Sequence, residues 1–405
     1  MVLQITASRD ASHIDRPATR DNLHDSISAT GARRGQSWGI RLYLGLFIRE
    51  GILQVRKKTV RSWLRFSALI LAAISSAAGS ALADSHSPDL SPTNIFAPDS
   101  TPAHSIFRLS MFGLEVEGAI FVVVFSLLAY AVVKFRQRKG DDDLEPPQVY
   151  GSNQMELAWT VLPVLIVVVL FLSTAQVIHR VQDAKRPDDA IQVTVTAHQF
   201  WWEYSYTQYD FVASNELHVP VSDPHHPTPT YLTLLSADVD HSFWVPRLAG
   251  KTDLIPNHPN SMWIDPQETG LFLGQCAQYC GVQHAKMLLR VYVQNRPDFD
   301  RWVHEQQQPA VSDPSVAAGR TMFQAKLCFI CHTVRGTPAA GKVGPDLTHL
   351  MSRDTIGSGA VPNTPENLRK WIRNPGTFKP GSLMPPQDLT DQQLDQIAAY
   401  LETLR

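Results

Sequence analysis

Residues 276–287 read CAQYCGVQHAKM, and this segment decides the class of the domain that contains it. It holds two thiols, Cys276 and Cys280, the imidazole of His284 and the thioether of Met287, while His241 stands upstream in SADVDHSFW. Such soft donors favour copper, whereas structural zinc sites are closed sets of four ligands, usually without methionine. Two cysteines four apart on one loop can each bridge two copper ions. The segment therefore predicts a copper site, against the alternative of structural cysteines beside unrelated histidines.

The residues around this segment predict a small all-β domain. Alternating β-branched and polar residues fill IQVTVTAHQFWWEYSY at 191–206, and further strand-like runs lie at Tyr231–Leu235 and Leu288–Val293. Turn residues separate these runs, which is typical of an antiparallel sandwich or barrel. Proline-rich loops surround four more histidines, which we expect at the surface without a role: His218, His225, His226 and His258.

Two apolar segments upstream predict a transmembrane hairpin over residues 105–182. Met111–Val133 and Leu157–Ile178 are each close to the roughly 20 apolar residues that cross a hydrocarbon core. Buried helices of a soluble protein are the alternative, which two such runs in tandem disfavour. The loop between them carries four cations, as expected on the cytoplasmic side: Lys134, Arg136, Arg138 and Lys139. Four cations at the other ends nearly balance them, so the export signal decides the direction: Arg108, Arg180, Lys185 and Arg186.

The first 83 residues predict an N-terminal extension followed by a secretory signal peptide. A basic segment ending at Arg65 precedes an apolar run, 66–83, that closes on Ala81-Leu82-Ala83. A transmembrane helix is the alternative for this run, and small residues disfavour it. Residues 1–55 are best explained by a start site assigned too early. Export places the domains after the hairpin on the periplasmic side of a bacterial inner membrane.

A second cysteine pair predicts a haem domain over residues 312–405. Beyond a polar linker, the segment CFICH at Cys328–His332 matches the C-x-x-C-H attachment site of c-type haem. Helix-like VAAGRTMFQAK and amphipathic DQQLDQIAAYLETL flank it and indicate an all-α domain. A thioredoxin-like redox pair is the alternative, which the adjacent histidine disfavours. With both pairs assigned, no disulfide is expected.

Composition agrees with several units that include apolar spans. The chain has 405 residues, more than one ordinary core holds, and charged residues make up 18% of it, below the usual quarter. The formal net charge of -2 excludes a typical nucleic-acid binder.

The segment SADVDHSFWVPRLAGK, followed by C-A-Q-Y-C-G-x-x-H-x-x-M, closely resembles subunit II of cytochrome c oxidase. This resemblance covers roughly residues 105–302 and implies a cupredoxin sandwich over 188–305 with a dinuclear copper centre. The implied ligands are His241, Cys276, Cys280, His284, Met287 and the backbone carbonyl of Gln278.

Residues 312–405 resemble a class I cytochrome c with one covalently bound haem. Cys328 and Cys331 are implied as its attachment points and His332 as an axial ligand. Met384 in GSLMPP is the implied second axial ligand, and a His/Met pair raises the haem potential. Met351 is the competitor, but it follows His332 closely and lacks a proline-flanked loop.

Together the resemblances imply the electron-entry subunit of a cytochrome-c oxidase complex. Electrons would pass from an external donor, such as a soluble cytochrome c or a quinol-oxidising complex, through haem and copper to subunit I, which reduces oxygen to water. The implied partners are subunit I, other oxidase subunits and membrane lipid. The equivalent subunit of a copper-containing nitric oxide reductase is the alternative. A free-standing tethered electron carrier is a second alternative, which the hairpin disfavours because a tether needs one span.

Three positions carry further expectations from the resemblance. Glu156 in MELAWTVLP corresponds to a glutamate that marks the mouth of a proton-uptake path into subunit I. Gln278 stands where the family commonly has a glutamate that helps to hold magnesium, so only its carbonyl role is carried over. Phe200 stands where the aromatic run usually begins with the tryptophan that receives electrons, so we expect entry at the fused haem.

Overall fold

The computed structural model describes residues 93–136, 148, 150–182, 186–188, 190–223, 227–311 and 313–405. The expected N-terminal extension and signal peptide lie outside the described residues, as do Arg138, Lys139, His225 and His226.

Two long helices form the predicted hairpin. Helix α1 spans Thr101–Lys134 and α2 spans Asn153–Gln182, so both extend beyond the predicted apolar runs. Each is long and apolar enough to cross a membrane, and their apolar side chains are exposed at the protein surface. Pro163 lies inside α2, which lipid-embedded helices tolerate.

Ten strands form a sandwich of two five-stranded sheets, ordered β3-β2-β1-β5-β8 and β4-β10-β9-β6-β7. Each sheet contains one parallel pair, β1 with β5 and β4 with β10, so the expected purely antiparallel sandwich is wrong in that detail. The strands are β1 Ile191–His198, β2 Trp201–Tyr206, β3 Phe211–Ser214, β4 Glu216–Pro220, β5 Thr230–Ser236, β6 His241–Trp244, β7 Thr252–Leu254, β8 Asn260–Ile264, β9 Gly270–Cys276 and β10 Leu288–Gln294.

The core of the sandwich follows from the alternation seen in the sequence. Strand β1 buries Ile191, Val193 and Val195, while the residues between them stay half-buried. Successive strand residues point to opposite faces, so one face packs inward. The fully buried Trp202 and Tyr204 of β2 fill the space between the sheets.

His218 does not lie in a surface loop, contrary to the sequence prediction. It belongs to β4, where its ring stacks between Tyr292 and Trp302 at centroid distances of 4.7 and 4.2 Å. Its Nδ1 lies 3.1 Å from Oε1 of Gln294. Burial lowers the pKa of His218 to about 4, although the Gln294 contact opposes this. His258 is exposed, as predicted.

Strand β8 and the residue after it hold the ends of both long helices. Asp265 accepts hydrogen bonds from the backbone amide of Thr101 at 2.7 Å and from its hydroxyl at 2.6 Å. The carboxylate therefore satisfies a free amide at the start of α1. Trp263 donates through Nε1 to the carbonyl of Val181, near the end of α2, at 2.7 Å. These contacts fix the sandwich to the hairpin.

The C-terminal part is helical, as predicted, with one short strand pair. After α3 (Arg296–Gln307) come α4 (Ala317–Ala325), α5 (Pro365–Arg373) and α6 (Asp391–Leu401), with β11 (Thr355–Ile356) paired to β12 (Val361–Pro362). Helix α4 packs closely on α6 at Gly319, where a side chain would clash with the backbone oxygen of Gln396.

A short linker joins the sandwich region to the C-terminal domain. It runs from Gln308, after α3 ends, to Asp313, before the 3-10 turn at Pro314. The Gln308 carbonyl lies 3.1 Å from Nε2 of His349, and the Ala310 amide donates to the Arg335 carbonyl at 3.0 Å. The C-terminal domain therefore holds the linker at two points.

A buried carboxylate joins the sandwich to the C-terminal domain. Glu216 of β4, 4% exposed, accepts from the amides of Asp354 and Thr355 at 3.2 and 3.0 Å. Nearby, the Ser358 hydroxyl donates to the Leu288 carbonyl at 2.9 Å, and the Leu288 amide donates to the Ser358 carbonyl at 3.2 Å. The two domains thus share a specific polar interface.

Candidate copper and haem sites

The predicted copper ligands converge at one end of the sandwich. His241 is the first residue of β6, Cys276 is the last of β9, and Met287 directly precedes β10. The loop between β9 and β10 is closed by a hydrogen bond of 2.9 Å from the Cys276 amide to the Met287 carbonyl. A second bond of 3.0 Å joins the Ala277 amide to the Ser242 carbonyl.

The spacing of the donor atoms fits bound metal. The two Sγ atoms of Cys276 and Cys280 are 3.9 Å apart, and Nδ1 of His241 lies 3.8 Å from the first of them. The second lies 3.8 Å from Nδ1 of His284 and 3.9 Å from Sδ of Met287. Two donors that each lie about 2.3 Å from one ion are at most about 4.6 Å apart. Every neighbouring pair can therefore share an ion, and the two thiols stand between the two imidazoles.

The protonation of the first thiol also suits metal binding. The hydrogen bond between the two thiols lowers the pKa of Cys276 and raises that of Cys280; burial opposes the first shift and adds to the second, and the His241 contact adds to the first. Thiolate is the form that ligates metal. The carbonyl of Gln278 lies 3.1 Å from the same Sγ.

Asp238 supports the copper site and was not predicted from the sequence. Its Oδ1 lies 2.8 Å from Nε2 of His241, so Nε2 carries the proton and Nδ1 is left for a metal. Its Oδ2 accepts from the amide of Gln199 at 2.6 Å. The side chain of Gln199 in turn donates to the carbonyl of Cys280 at 2.5 Å.

The predicted haem residues surround a cavity of about 370 Å³ in the C-terminal domain. Its lining includes Cys328, Cys331, His332 and Met384, and both of these thiols are free. Nδ1 of His332 lies 2.8 Å from the carbonyl of Pro345, which can only accept, so Nδ1 carries the proton. Nε2 is thereby left available to an iron.

Close backbone approach shapes the floor of this cavity. A side chain at Gly344 would meet the His332 ring at 2.7 Å, so glycine lets the loop pass beneath the ring. Burial lowers the pKa of His332, which keeps the imidazole neutral, the form that ligates iron. The residues therefore fit a c-type haem.

Comparison with known proteins identifies the families that the chain resembles. The family model described as "Cytochrome C oxidase subunit II, transmembrane domain" matches residues 91–177, and its periplasmic-domain counterpart matches residues 224–294. The model described as "Cytochrome c" matches residues 316–405. Subunit 2 of cytochrome c oxidase from Alkalihalophilus pseudofirmus is 34% identical over 316 residues, covering 76% of this chain and 90% of its own.

The chain belongs to the cytochrome c oxidase subunit 2 family. A second relative, subunit 2 from Bacillus sp. PS3, is 35% identical and covers 67% of this chain and 80% of its own. The solved periplasmic domain of subunit II of cytochrome oxidase (CoxB) of Bradyrhizobium japonicum is 28% identical, with a TM-score of 0.28, and covers 30% of this chain and 96% of its own. The resemblance expected from the motifs is confirmed. Family membership implies copper and a place in an oxidase complex, and the match to the cytochrome c model implies haem.

The chain places part of its sandwich against the haem cavity. Gln199, Phe200 and Trp201 line the cavity together with the haem-binding residues, and Phe200 is only 8% exposed. The start of the aromatic run is thus covered by the subunit's own C-terminal domain. This arrangement agrees with the expectation that Phe200 is not an entry point for an external donor.

Lys379 lies at the same boundary and carries no sequence signal for a role. It is 2% exposed, and its Nζ donates to the carbonyl of Phe200 at 2.7 Å and to that of Gly357 at 2.8 Å. Burial lowers its pKa to about 7; the neighbouring Cys280 opposes this, and Lys286 reinforces it.

The two candidate methionine ligands occupy different positions. Met384 lines the haem cavity, as predicted for the second axial ligand. Met351 packs against the core of the C-terminal domain, and its amide donates to the carbonyl of Leu404 at 2.8 Å. Their surroundings favour Met384.

Glu156 lies in the first turn of α2, away from both sites. Its amide donates to the carbonyl of Ser152 at 2.9 Å, and its exposed carboxylate reaches back over Gly151. It stands at the helix end that joins the hairpin loop.

Proposed function

We propose that this subunit accepts electrons from an external donor at a c-type haem and passes them through a dinuclear copper centre to subunit I, where oxygen is reduced to water. The observation that carries this proposal is the shared wall of the two sites. Gln199 lines the haem cavity and also donates to the carbonyl of Cys280. The haem site and the copper site would therefore be separated by few bonds.

The residues have distinct roles in this proposal. His241, Cys276, Cys280, His284, Met287 and the carbonyl of Gln278 would hold two copper ions, and Cys328, Cys331, His332 and Met384 would hold the haem. When bound, these groups supply one-electron carriers, so an electron lost at the iron is gained at the copper pair.

Protein packing would keep the copper site dry and fixed. His241 and Met287 are fully buried, and the thiols of Cys276 and Cys280 are 2 and 3% exposed. A water-excluding, rigid site reduces the rearrangement that accompanies a change of charge, which suits electron transfer. Asp238 and Pro345 fix the two histidine rings by accepting their outer protons.

We place the copper and haem domains on the periplasmic side of a bacterial inner membrane, with the hairpin loop in the cytoplasm. The predicted export signal supports this direction, since the cations at the hairpin loop, such as Lys134 and Arg136, are nearly balanced by Arg108, Arg180 and Arg186 at the other helix ends. Glu156 then lies at the cytoplasmic start of α2. There a carboxylate can collect protons and pass them towards subunit I.

Purification of the complex in mild detergent tests the proposed function. We expect subunit I to accompany the chain, with copper and covalently bound haem in the preparation and oxygen consumption driven by reduced cytochrome c. Nitric oxide consumption without oxygen consumption would identify a nitric oxide reductase instead. A chain that is purified without any subunit I-type partner would identify a free-standing electron carrier.

A further inference from the structure

Lys379 is a buried lysine whose contacts bridge two domains. Lysine is almost never fully buried unless it is paired, because removing an ammonium from water is costly. Here two backbone carbonyls bind Nζ, one from Phe200 of the sandwich and one from Gly357 of the C-terminal domain. The two bonded carbonyls are thereby held together inside the interface.

The residue before Phe200 is tied to the copper site in two ways. The Gln199 side chain donates to the carbonyl of Cys280 at 2.5 Å, and its amide donates to Asp238, which contacts His241. The dipeptide 199–200 thus contacts the copper site on one side and Lys379 on the other. Both of its residues also line the haem cavity.

The copper loop is shaped to accept this dipeptide. Gly281 has a φ of +129°, and a side chain there would lie 3.1 Å from Nε2 of Gln199 and 3.2 Å from the Phe200 ring. Glycine at this position leaves room for Gln199 to reach the carbonyl of Cys280.

We propose that Lys379 is a positioning residue for electron transfer between the haem and copper sites. By binding the Phe200 carbonyl, it holds Gln199 and Phe200 as the common wall through which one electron leaves the haem and one arrives at the copper pair, with no proton transferred. This inference rests on the proposed function, because it needs both sites to be loaded.

The test uses the purified complex with Lys379→Met, which keeps the length of the side chain but removes its charge and its donors. A laser flash excites an added ruthenium polypyridyl photoreductant, which gives one electron to the haem, and haem re-oxidation is followed together with copper reduction. We expect transfer to slow about tenfold, equal to about 1.4 kcal/mol. The KM for the external donor and the copper and haem spectra should stay unchanged. Faster amide exchange in residues 199–202 would report the loosened wall.

Two further variants make the result specific. Lys379→Gln retains an amide that can donate to the Phe200 carbonyl, so transfer should recover part of its speed. Lys370→Met is the matched control, since Lys370 is an exposed lysine of the same domain that pairs with Glu366, and it should match the parent.

Transfer at the parental rate in Lys379→Met, with both spectra intact, would overturn the inference. If this variant fails to bind haem or copper, the same flash measurement is made on Gln199→Met, which breaks the contact with Cys280 and leaves Lys379 in place. An unchanged rate there would equally overturn it. Absence of haem-to-copper transfer in the parent would instead refute the proposed function.

Discussion

Asp238→Asn should weaken copper binding although Asp238 is not a ligand. The two carboxylate oxygens serve three donors: Oδ1 contacts Nε2 of His241 at 2.8 Å and the Val239 amide at 2.7 Å, and Oδ2 accepts from Gln199 at 2.6 Å. Asparagine has one acceptor oxygen and one amide nitrogen, which is a donor. Whichever way it turns, an N–H group faces another N–H group.

The size of the effect follows from these contacts. A buried donor left without an acceptor costs about 1–3 kcal/mol. The side chain of Asp238 is 27% exposed, so water can serve part of the lost contact, and the lower half of that range applies. About 1.4 kcal/mol corresponds to a tenfold loss of affinity. This agrees with the roughly 10–100-fold effects of residues that orient metal-binding histidines.

A competition titration measures this loss. The purified complex is titrated with a copper chelator while the copper EPR signal is followed, for the parent, Asp238→Asn and Asp240→Asn. Asp240 is an exposed carboxylate on the same loop, so its variant controls for the change of charge. If Asp238→Asn and the parent lose copper at the same chelator concentration, Asp238 does not orient His241.

Four further predictions concern other parts of the molecule. Cys276→Ser replaces a bridging thiolate with a harder ligand, so the mixed-valence copper EPR signal should disappear, and its retention would refute the assignment. Met384→Leu should impair oxidation of the external donor and leave that signal intact, whereas Met351→Leu should not; equal turnover in both would contradict haem-first entry. Glu156→Gln should slow turnover by up to about 100-fold with normal spectra, and parental turnover across pH would reduce Glu156 to a surface charge. His218 has a pKa lowered from 6.5 to about 4, so the stability that it contributes is complete above pH 6.5 and is lost as pH falls through 4. Chemical denaturation should show that the parent loses up to about 3 kcal/mol of its free energy of unfolding at acid pH, whereas His218→Asn should not. An equal loss in both proteins would show that protonation of His218 does not cause it.

The features encoded within short segments could be predicted from the sequence. Five of the six expected copper ligands, including the carbonyl of Gln278, lie in one segment of twelve residues, and three of the four haem residues lie within five. Local hydrophobic patterns also predict the hairpin and the strands. Helix α3 was missed, although Asn295 caps it and a proline follows in its first turn, a recognisable start signal.

Contacts between residues far apart in the chain could not be predicted. Lys379 and Phe200 are 179 residues apart in the chain, and Asp238 and Gln199 are 39 apart. No periodicity reports such pairs, because they depend on how the folded domains pack. His218 was misplaced for a similar reason: its nearby prolines suggested a loop, but Pro220 only ends the strand.

The linker between Gln308 and Asp313 changes the kinetics of electron delivery. A separate cytochrome must find its oxidase by diffusion, at a rate that depends on concentration and ionic strength. The fused domain is already packed against the sandwich through Glu216, Leu288 and Lys379, so it needs no such encounter. Electron transfer from the haem site to the copper site should therefore be independent of dilution and salt. Only the encounter with the external donor should remain sensitive to them.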